Sequence, residues 1–280
     1  MKGIESVKQT VAVVRWNFLG FYKNPRIILT FLFAFILCFF LSDRALMIAE
    51  YYESSMQALE PFIWTFGDAT SILLSSLLLI LLFIDLPKLT PFTPYMLLRT
   101  RKSCWLLAQF FYIFLVTAGY ILYVLLVTSL LCMQKTYPGN IWSKTAALFA
   151  YSSMGNKFSV PSTVKVMESI TPWECSMQMV VLLVCYALTL SFFMFGFLLD
   201  PKVLAKILHK EDYEMYQVRR ILGWISPLNH ATYEMHDFGY DALPSVGQSC
   251  IIFLLLLLAV LLCVYRTLKR YNFNSFTGEM

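Results

Sequence analysis

The sequence predicts an all-helical protein that crosses a membrane several times. Of its 280 residues, 59% are hydrophobic and only 14% are charged, and the mean hydropathy is +0.65. Soluble domains carry about 25% charged residues, so a water-soluble fold of this composition could not cover its surface with polar groups. The apolar runs do not alternate with a period of two residues, and helices satisfy their own backbone groups in lipid, which favours helices over strands.

Five apolar runs predict five membrane-spanning helices in a single transmembrane domain over residues 1–280. A spanning helix needs about 20 apolar residues, and a shorter run can borrow flanking residues. The first two runs are short. The third is too short for two spans and predicts one long or tilted helix. The predicted spans cover residues 26–43, 62–84, 104–133, 175–199 and 248–266.

Residues 1–25 predict an amphipathic helix that lies in the membrane surface. Val7, Val11, Val14 and Phe18 recur at helical spacing, with aromatic residues nearby, before a proline turns the chain into the first span. A solvated lead-in helix is the alternative. A cleavable secretory signal is not indicated, because the basic start is not followed by a short apolar core and a small-residue cleavage site.

The distribution of Lys and Arg predicts the orientation of the chain. Residues 1–26 hold five basic residues and residues 85–102 hold four, whereas residues 43–68 hold one basic and five acidic residues. We therefore expect a cytoplasmic N-terminus, a cytoplasmic loop at 85–103 and an outer loop at 134–174.

The end of the chain conflicts with a count of five spans. The tail after the last span begins with Arg266, Lys269 and Arg270, which favours the cytoplasm, yet five spans would place it outside. The candidates for a hidden sixth crossing are residues 141–155 and 215–235, neither of them strongly apolar, and this alternative stays open.

The loop between the second and third predicted spans is stiff and basic. Its prolines fix the backbone, its threonines can cap a short helix over residues 94–102, and its last cations lie at the predicted C-terminal end of that helix, where positive charge is favoured. These residues are Pro87, Pro91 and Pro94; Thr90 and Thr93; and Arg99, Arg101 and Lys102. Such a loop suits either an elbow that transmits force from a partner or an ordinary inner loop held by anionic lipid.

Motifs for chemistry are weak. The sequence contains no GxxxxGK[ST], HExxH, GxSxG or CxxC pattern. His230, Glu234, His236 and Asp237 form the nearest approach to a metal cluster, for which a polar membrane-edge segment is the alternative interpretation. Asp68 lies towards the outer end of the second predicted span, where a carboxylate can gate a pathway or simply be hydrated.

Two cysteines near the predicted outer face leave a disulfide open. Cys132 and Cys175 flank the outer loop, although pairing cannot be read from sequence alone.

The order of these features resembles the membrane subunit of a bacterial type-2 ATP-binding-cassette (ABC) exporter, particularly the small permeases of Firmicutes. The resemblance rests on WTFGD at 64–68, DLPKLTPFTPYMLLRTRKSCWLLAQ at 85–109 and ILGWISPLNHATYE at 221–234. It implies an interfacial helix before the first span, short re-entrant helices at the outer face before the last span, and a loop that docks on an ATPase. The docking residues would be Pro87, Lys88, Pro91, Pro94, Tyr95, Arg99, Arg101 and Lys102. Such permeases have six spans, and this chain departs from them at residues 200–220, where a charged segment replaces the expected fifth span.

The resemblance implies a permease half without ATPase activity, which exports a peptide, lipid or drug-like substrate from a bacterial cytoplasmic membrane. Its implied partners are a nucleotide-binding ATPase subunit, a second copy or homologous permease, and membrane lipid, with no nucleic acid. We expect no cofactor in this chain, and ATP and Mg²⁺ on the ATPase. One alternative is a non-transporting immunity or sensor protein that binds a peptide through its outer loop, and another is a membrane hydrolase that uses His230, Glu234 and His236.

Overall fold

The chain folds as a bundle of long helices. The structure is a computed structural model and describes residues 2–67, 69–84, 86, 96, 99–151, 164–199, 226–233, 236–237 and 243–270. The helices are α1 (Lys2–Phe18), α2 (Pro25–Tyr51), α3 (Glu60–Phe66), α4 (Ala69–Phe83), α5 (Lys102–Leu131), α6 (Lys144–Tyr151), α7 (Val164–Ser169), α8 (Pro172–Leu199), α9 (Pro227–Ala231) and α10 (Val246–Arg270), with strands β1 (Met56–Gln57) and β2 (Thr136–Tyr137).

Four helices in the described part of the chain are long and apolar enough to cross a membrane. They are α2, α5, Pro172–Met194 of α8 and Val246–Thr267 of α10. The third run is a single helix of 30 residues, as predicted. The chain is therefore a multi-pass helical membrane protein by length and composition.

The second predicted span is not one straight helix. Instead α3 and α4 meet at an angle of 81°, and they make a fifth span only if the bent pair is counted as one. The α3 helix ends at Gly67, whose N–H closes the last turn on Ile63 O at 2.8 Å. Glycine has low helix propensity, so the apolar run is interrupted where the sequence reads FGD.

The long helices have defined relative directions. The first spanning helix, α2, runs parallel to α5, because Phe31 contacts Tyr123 and because Ser129 of α5 donates to Ala58 O, just after α2, at 3.1 Å. The α8 helix runs antiparallel to α5: Phe192 stacks on Phe110, with ring centroids 5.3 Å apart. One end of the bundle, the α1 end, holds α1 and the starts of α2 and α5, and the other, the α3 end, holds α3.

The last helix, α10, runs in the same direction as α8. Tyr186 of α8 contacts Phe253 of α10, with ring centroids 6.1 Å apart. The segment around α9 lies between the starts of both helices: Tyr233 bonds to Gln178 and His230 to Ser249. The end of α10 therefore lies at the α1 end, the arrangement that the basic tail favours.

The first helix packs on the start of α5 and ends earlier than predicted. Asn17 Nδ2 donates to Gln109 Oε1 at 3.1 Å, with both residues buried, and Phe18 packs edge-on against Tyr112. Gly20 then adopts a left-handed backbone (φ 79°) before a 3-10 turn, and Asn24 caps α2. The buried face of α1 thus faces protein, while Val7 and Val11 remain exposed.

Gly20→Ala should destabilise the protein by about 1–2 kcal/mol, because a left-handed backbone brings Cβ close to the carbonyl oxygen. Gly119→Ala is the matched control: Gly119 is an exposed residue inside α5, with nothing within 4 Å of an added Cβ, and Ala is the better helix former. Thermal unfolding in detergent should therefore show a lower midpoint for the first variant and an unchanged or higher midpoint for the second. Equal midpoints would contradict the left-handed turn.

The predicted outer loop folds into a cap at the α3 end, which we define as residues 132–151 and 164–171. Its strand β2 pairs in parallel with β1, and Trp142 Nε1 donates to Ile170 O at 2.8 Å. Cys132 and Cys175, beside the cap, are buried free thiols, so the disulfide left open by the sequence is not formed.

A buried carboxylate fastens the cap to the bundle. Glu60 is fully buried; its Oε1 accepts the Ser143 N–H at 2.8 Å, and its Oε2 accepts the Gln57 N–H at 2.9 Å and the Ser143 hydroxyl at 2.5 Å. Burial raises the pKa of Glu60 to about 6, against the effect of the three hydrogen bonds. One side chain thus joins β1, α3 and the cap.

Candidate functional site

Most of the predicted coupling residues in the loop between α4 and α5 fall outside the described residues. These are Pro87, Lys88, Pro91, Pro94 and Tyr95, and the other candidate, Asp68, also falls outside. Both ends of the loop are described. Leu86 is buried and donates its N–H to Phe83 O at 3.0 Å, and α5 begins at Lys102.

Arg101 and Lys102, at the end of this loop, belong to a different helix terminus from the one predicted. The Thr100 N–H donates to Met96 O, four residues back, at 2.8 Å. Arg101 is then extended (φ −67°, ψ 139°) and caps α5, and Lys102 is the first residue of α5. The prediction that both close a helix over 94–102 is therefore wrong, since they lie at the positive N-terminal end of α5. Like Arg99, both are exposed.

Two neighbouring serines of α4 make polar contacts across the centre of the bundle. Ser75 Oγ lies 3.2 Å from Tyr120 Oη of α5, and Ser76 Oγ lies 2.8 Å from Tyr186 Oη of α8. All four residues are buried. Hydrogen bonds between membrane helices contribute about 0.6 kcal/mol on average, so these contacts link three helices without fixing them rigidly.

A second buried polar cluster lies at the α3 end, where two histidines share one serine. His230 Nδ1 lies 2.8 Å from Ser249 Oγ, and His236 Nε2 lies 2.9 Å from the same oxygen. The exposed fractions are 0% for His230 and Ser249 and 1% for His236. We call these three residues the His–Ser–His chain.

The hydrogen-bond partners determine which nitrogen of each neutral histidine in the His–Ser–His chain carries the proton. His236 Nδ1 lies 3.1 Å from Tyr233 O, and a carbonyl only accepts, so this nitrogen carries the proton. His236 Nε2 is then an acceptor for the Ser249 hydroxyl, and Ser249 Oγ accepts from His230 Nδ1–H. Burial lowers the pKa of His236, and the neighbouring His230 acts in the same direction, which favours this neutral arrangement.

The local sequence explains how the residues of the His–Ser–His chain are positioned. Pro227 starts α9 after the extended Ser226, which places His230 in the last turn of a short helix. Ser249 lies in the first turn of α10. The same segment is held to α8 by Tyr233, whose hydroxyl donates to Gln178 Oε1 at 2.7 Å. The cluster therefore ties the starts of α8 and α10 together.

The metal hypothesis for this segment finds no support in the described residues. They contain no group of three His, Cys, Asp or Glu side chains that could hold a metal ion, and Glu234 lies outside them. His230 and His236 do come together, but on a serine hydroxyl.

Sequence reasoning missed Ser249 and Glu60. Nothing in SVGQSC indicates that Ser249 lies between two histidines, because this pairing depends on how α9 packs against α10. Glu60 did carry a local signal: it follows Gln57 by three residues, the spacing at which a glutamate reaches back to a backbone N–H.

No family model, no curated protein and no solved structure matches the chain. The functional interpretation therefore rests on the residues themselves.

Proposed function

We propose that this protein is the permease half of an ABC exporter, working with a separate ATPase subunit. Support comes from the multi-pass helical architecture and from the sequence order that resembles such permeases. The proposed cargo is a peptide, a lipid or a drug-like molecule. The ATPase subunit would supply ATP and Mg²⁺, and a second copy or a homologous permease would complete the transporter in the bacterial cytoplasmic membrane.

The observation that carries the proposal is the placement of two short features at opposite ends of the bundle. The described C-terminal end of the basic loop between α4 and α5 lies at the α1 end, with Arg99 and Arg101 exposed. The short helix α9 lies at the α3 end, between the starts of α8 and α10. An exporter of this type needs a docking loop on the ATPase side and a short helical closure on the other side.

The serine–tyrosine pairs suggest how movement would pass through the bundle. ATP-driven closure of the ATPases would push the loop and the helices that it joins, α4 and α5. Ser75 links these two helices to each other, whereas Ser76 links α4 to α8. A push that moves α4 and α5 together would therefore change their contact with α8, and access would switch from one end to the other.

Co-purification with the ATPase encoded by the neighbouring gene tests the proposal. Arg99→Glu and Pro91→Ala should reduce recovery of the ATPase several-fold, because the first reverses a charge on the docking loop and the second removes its stiffness. Lys144→Glu is the control, since Lys144 is an exposed cation in the cap at the opposite end.

Two outcomes would contradict the proposal. The first is equal recovery of the ATPase with all three variants. The second is a protein that is stable and fully active in cells that lack any ATPase partner. That result would instead support a sensor or immunity protein that acts through the cap.

A further inference from the structure

An apolar groove runs between α1 and α5. It has a volume of about 540 Å³, and its apolar walls are Val7, Val11 and Val14 from α1 and Leu107, Phe111 and Leu115 from α5. The residues from α1 follow one another by four and three positions, and those from α5 by four, so each set forms one helix face. The groove therefore lies between two apolar stripes.

The groove is a gap between two helices that are otherwise firmly packed. Ser6 Oγ lies 3.0 Å from Cys104 Sγ at one end of the contact, and the buried Asn17 bonds to Gln109 at 3.1 Å further along. The apolar stripes lie beside this contact and remain open, with Val7 63%, Val11 59% and Leu107 50% exposed. This surface is thus a formed feature of the α1–α5 contact.

The groove lies on a part of α5 that extends beyond the start of α2 at the α1 end of the bundle. The Tyr123 hydroxyl of α5 donates to Phe31 O of α2 at 3.2 Å. Tyr123 follows the start of α5 by 21 residues, or about 32 Å at 1.5 Å per residue, whereas Phe31 follows the start of α2 at Pro25 by six residues, or about 9 Å. The start of α5 therefore extends roughly 20 Å beyond the start of α2. Leu107, Phe111 and Leu115 lie on this extension of α5, beside α1.

Cations lie next to the groove. A second groove of about 510 Å³ shares Val7 and Val11 with the first and is also lined by Lys8, Arg15 and Trp16. Lys8 and Arg15 are exposed, and they are separated by two helical turns on one face of α1, about 10 Å apart along its axis. Neither groove is lined by a carboxylate, and Glu5 is the acidic residue in the first turn of α1.

We propose that this groove binds an anionic phospholipid, with an acyl chain between α1 and α5 and the phosphate at Lys8 and Arg15. An apolar groove beside two cations, at the basic end of a membrane protein, matches the chemistry of such a lipid on both counts. Trp16 is 44% exposed and lines the second groove together with both cations, and indole rings prefer the headgroup level of a membrane. The site is independent of the proposed transport function.

Quenching of Trp16 by brominated lipid tests the site. The full-length protein is placed in phosphatidylcholine bilayers with increasing fractions of brominated phosphatidylglycerol or brominated phosphatidylcholine. The Trp16 signal is the difference between the wild type and Trp16→Phe. We expect the anionic lipid to quench this signal at a mole fraction roughly tenfold lower than the neutral lipid, since each cation near the membrane surface favours anionic lipid.

Lys8→Gln combined with Arg15→Gln should abolish this preference, because both positions are exposed and the apolar groove is unchanged. The matched control is Lys135→Gln combined with Lys144→Gln, two exposed cations at the α3 end, which should keep the preference. Three results would overturn the proposal: equal quenching by both lipids in the wild type, an undiminished preference in the Lys8/Arg15 variant, or no quenching at all. The last result would mean that another protein surface, such as a second copy of the chain, covers the groove.

Discussion

Glu60→Ala is expected to release the cap from the bundle at neutral pH, at a cost of about 3 kcal/mol or more. The substitution leaves three buried donors without their acceptor: two backbone N–H groups, of Gln57 and Ser143, and the Ser143 hydroxyl. Each unsatisfied buried donor costs about 1–3 kcal/mol. Backbone hydrogen exchange of residues 135–151 should accelerate accordingly.

The matched control for this variant is Glu168→Ala. Glu168 is an exposed carboxylate of the cap that accepts a hydrogen bond from Tyr151 at 3.2 Å, and surface substitutions of this kind usually change stability by less than about 0.5 kcal/mol. Equal exchange rates in the two variants would show that Glu60 does not hold the cap.

The raised pKa of Glu60 adds a pH dependence to the same experiment. The pKa rises from 4.5 to about 6 on folding, so the protonated form is favoured in the folded cap. Proton binding by Glu60 therefore adds about 2 kcal/mol to the free energy of unfolding. This stabilisation is fully present below pH 4.5 and is lost as the pH rises through 6. Glu60→Gln should remove this slope between pH 4.5 and 7, and an identical slope in both proteins would contradict the assignment.

Ser249→Ala is expected to separate α9 from the start of α10, at a cost of about 2–4 kcal/mol. It removes the hydroxyl that accepts from His230 Nδ1–H and donates to His236 Nε2, and each hydrogen bond lost by a buried group costs about 1–3 kcal/mol. Tyr233, on the same segment, should then lose its contact with α8. Modification of Cys175, which is buried beside Tyr233, should become faster with a water-soluble maleimide, as followed by peptide mass spectrometry.

Ser245→Ala is the matched control at the same helix start. Ser245 is exposed, and its hydroxyl accepts only the Gln248 N–H, at 3.3 Å, so the loss should be that of a helix cap, about 1 kcal/mol. Cys175 should stay protected in this variant. If Cys175 reacts equally fast in both variants, the His–Ser–His chain does not close this end of the bundle.

The long helices were predictable because burial in lipid demands long apolar runs, and four such runs are helices as expected. The break after Phe66 was not predicted, because a single Gly67 in an apolar run is compatible with either a straight or a bent helix. Whether Arg101 ends a helix in the loop or precedes α5 depends on where α5 starts, and helix boundaries are the least certain part of a sequence pattern.

The polar clusters were less predictable than the helices. His230 and Ser249 are 19 residues apart in sequence, and Glu60 and Ser143 are 83 apart. Such pairs arise from the packing of separate segments, which neither composition nor periodicity encodes. Their identity as buried polar groups could be learned only from the three-dimensional arrangement.

The shared direction of α8 and α10 has a practical consequence for studies in cells. Because α10 ends at the α1 end of the bundle, the start of α1 and the end of α10 lie at the same end of the molecule. We therefore expect the two halves of a split fluorescent reporter, one fused before Lys2 and one inserted directly after Arg270, to meet on one side of the membrane and assemble into a working fluorophore.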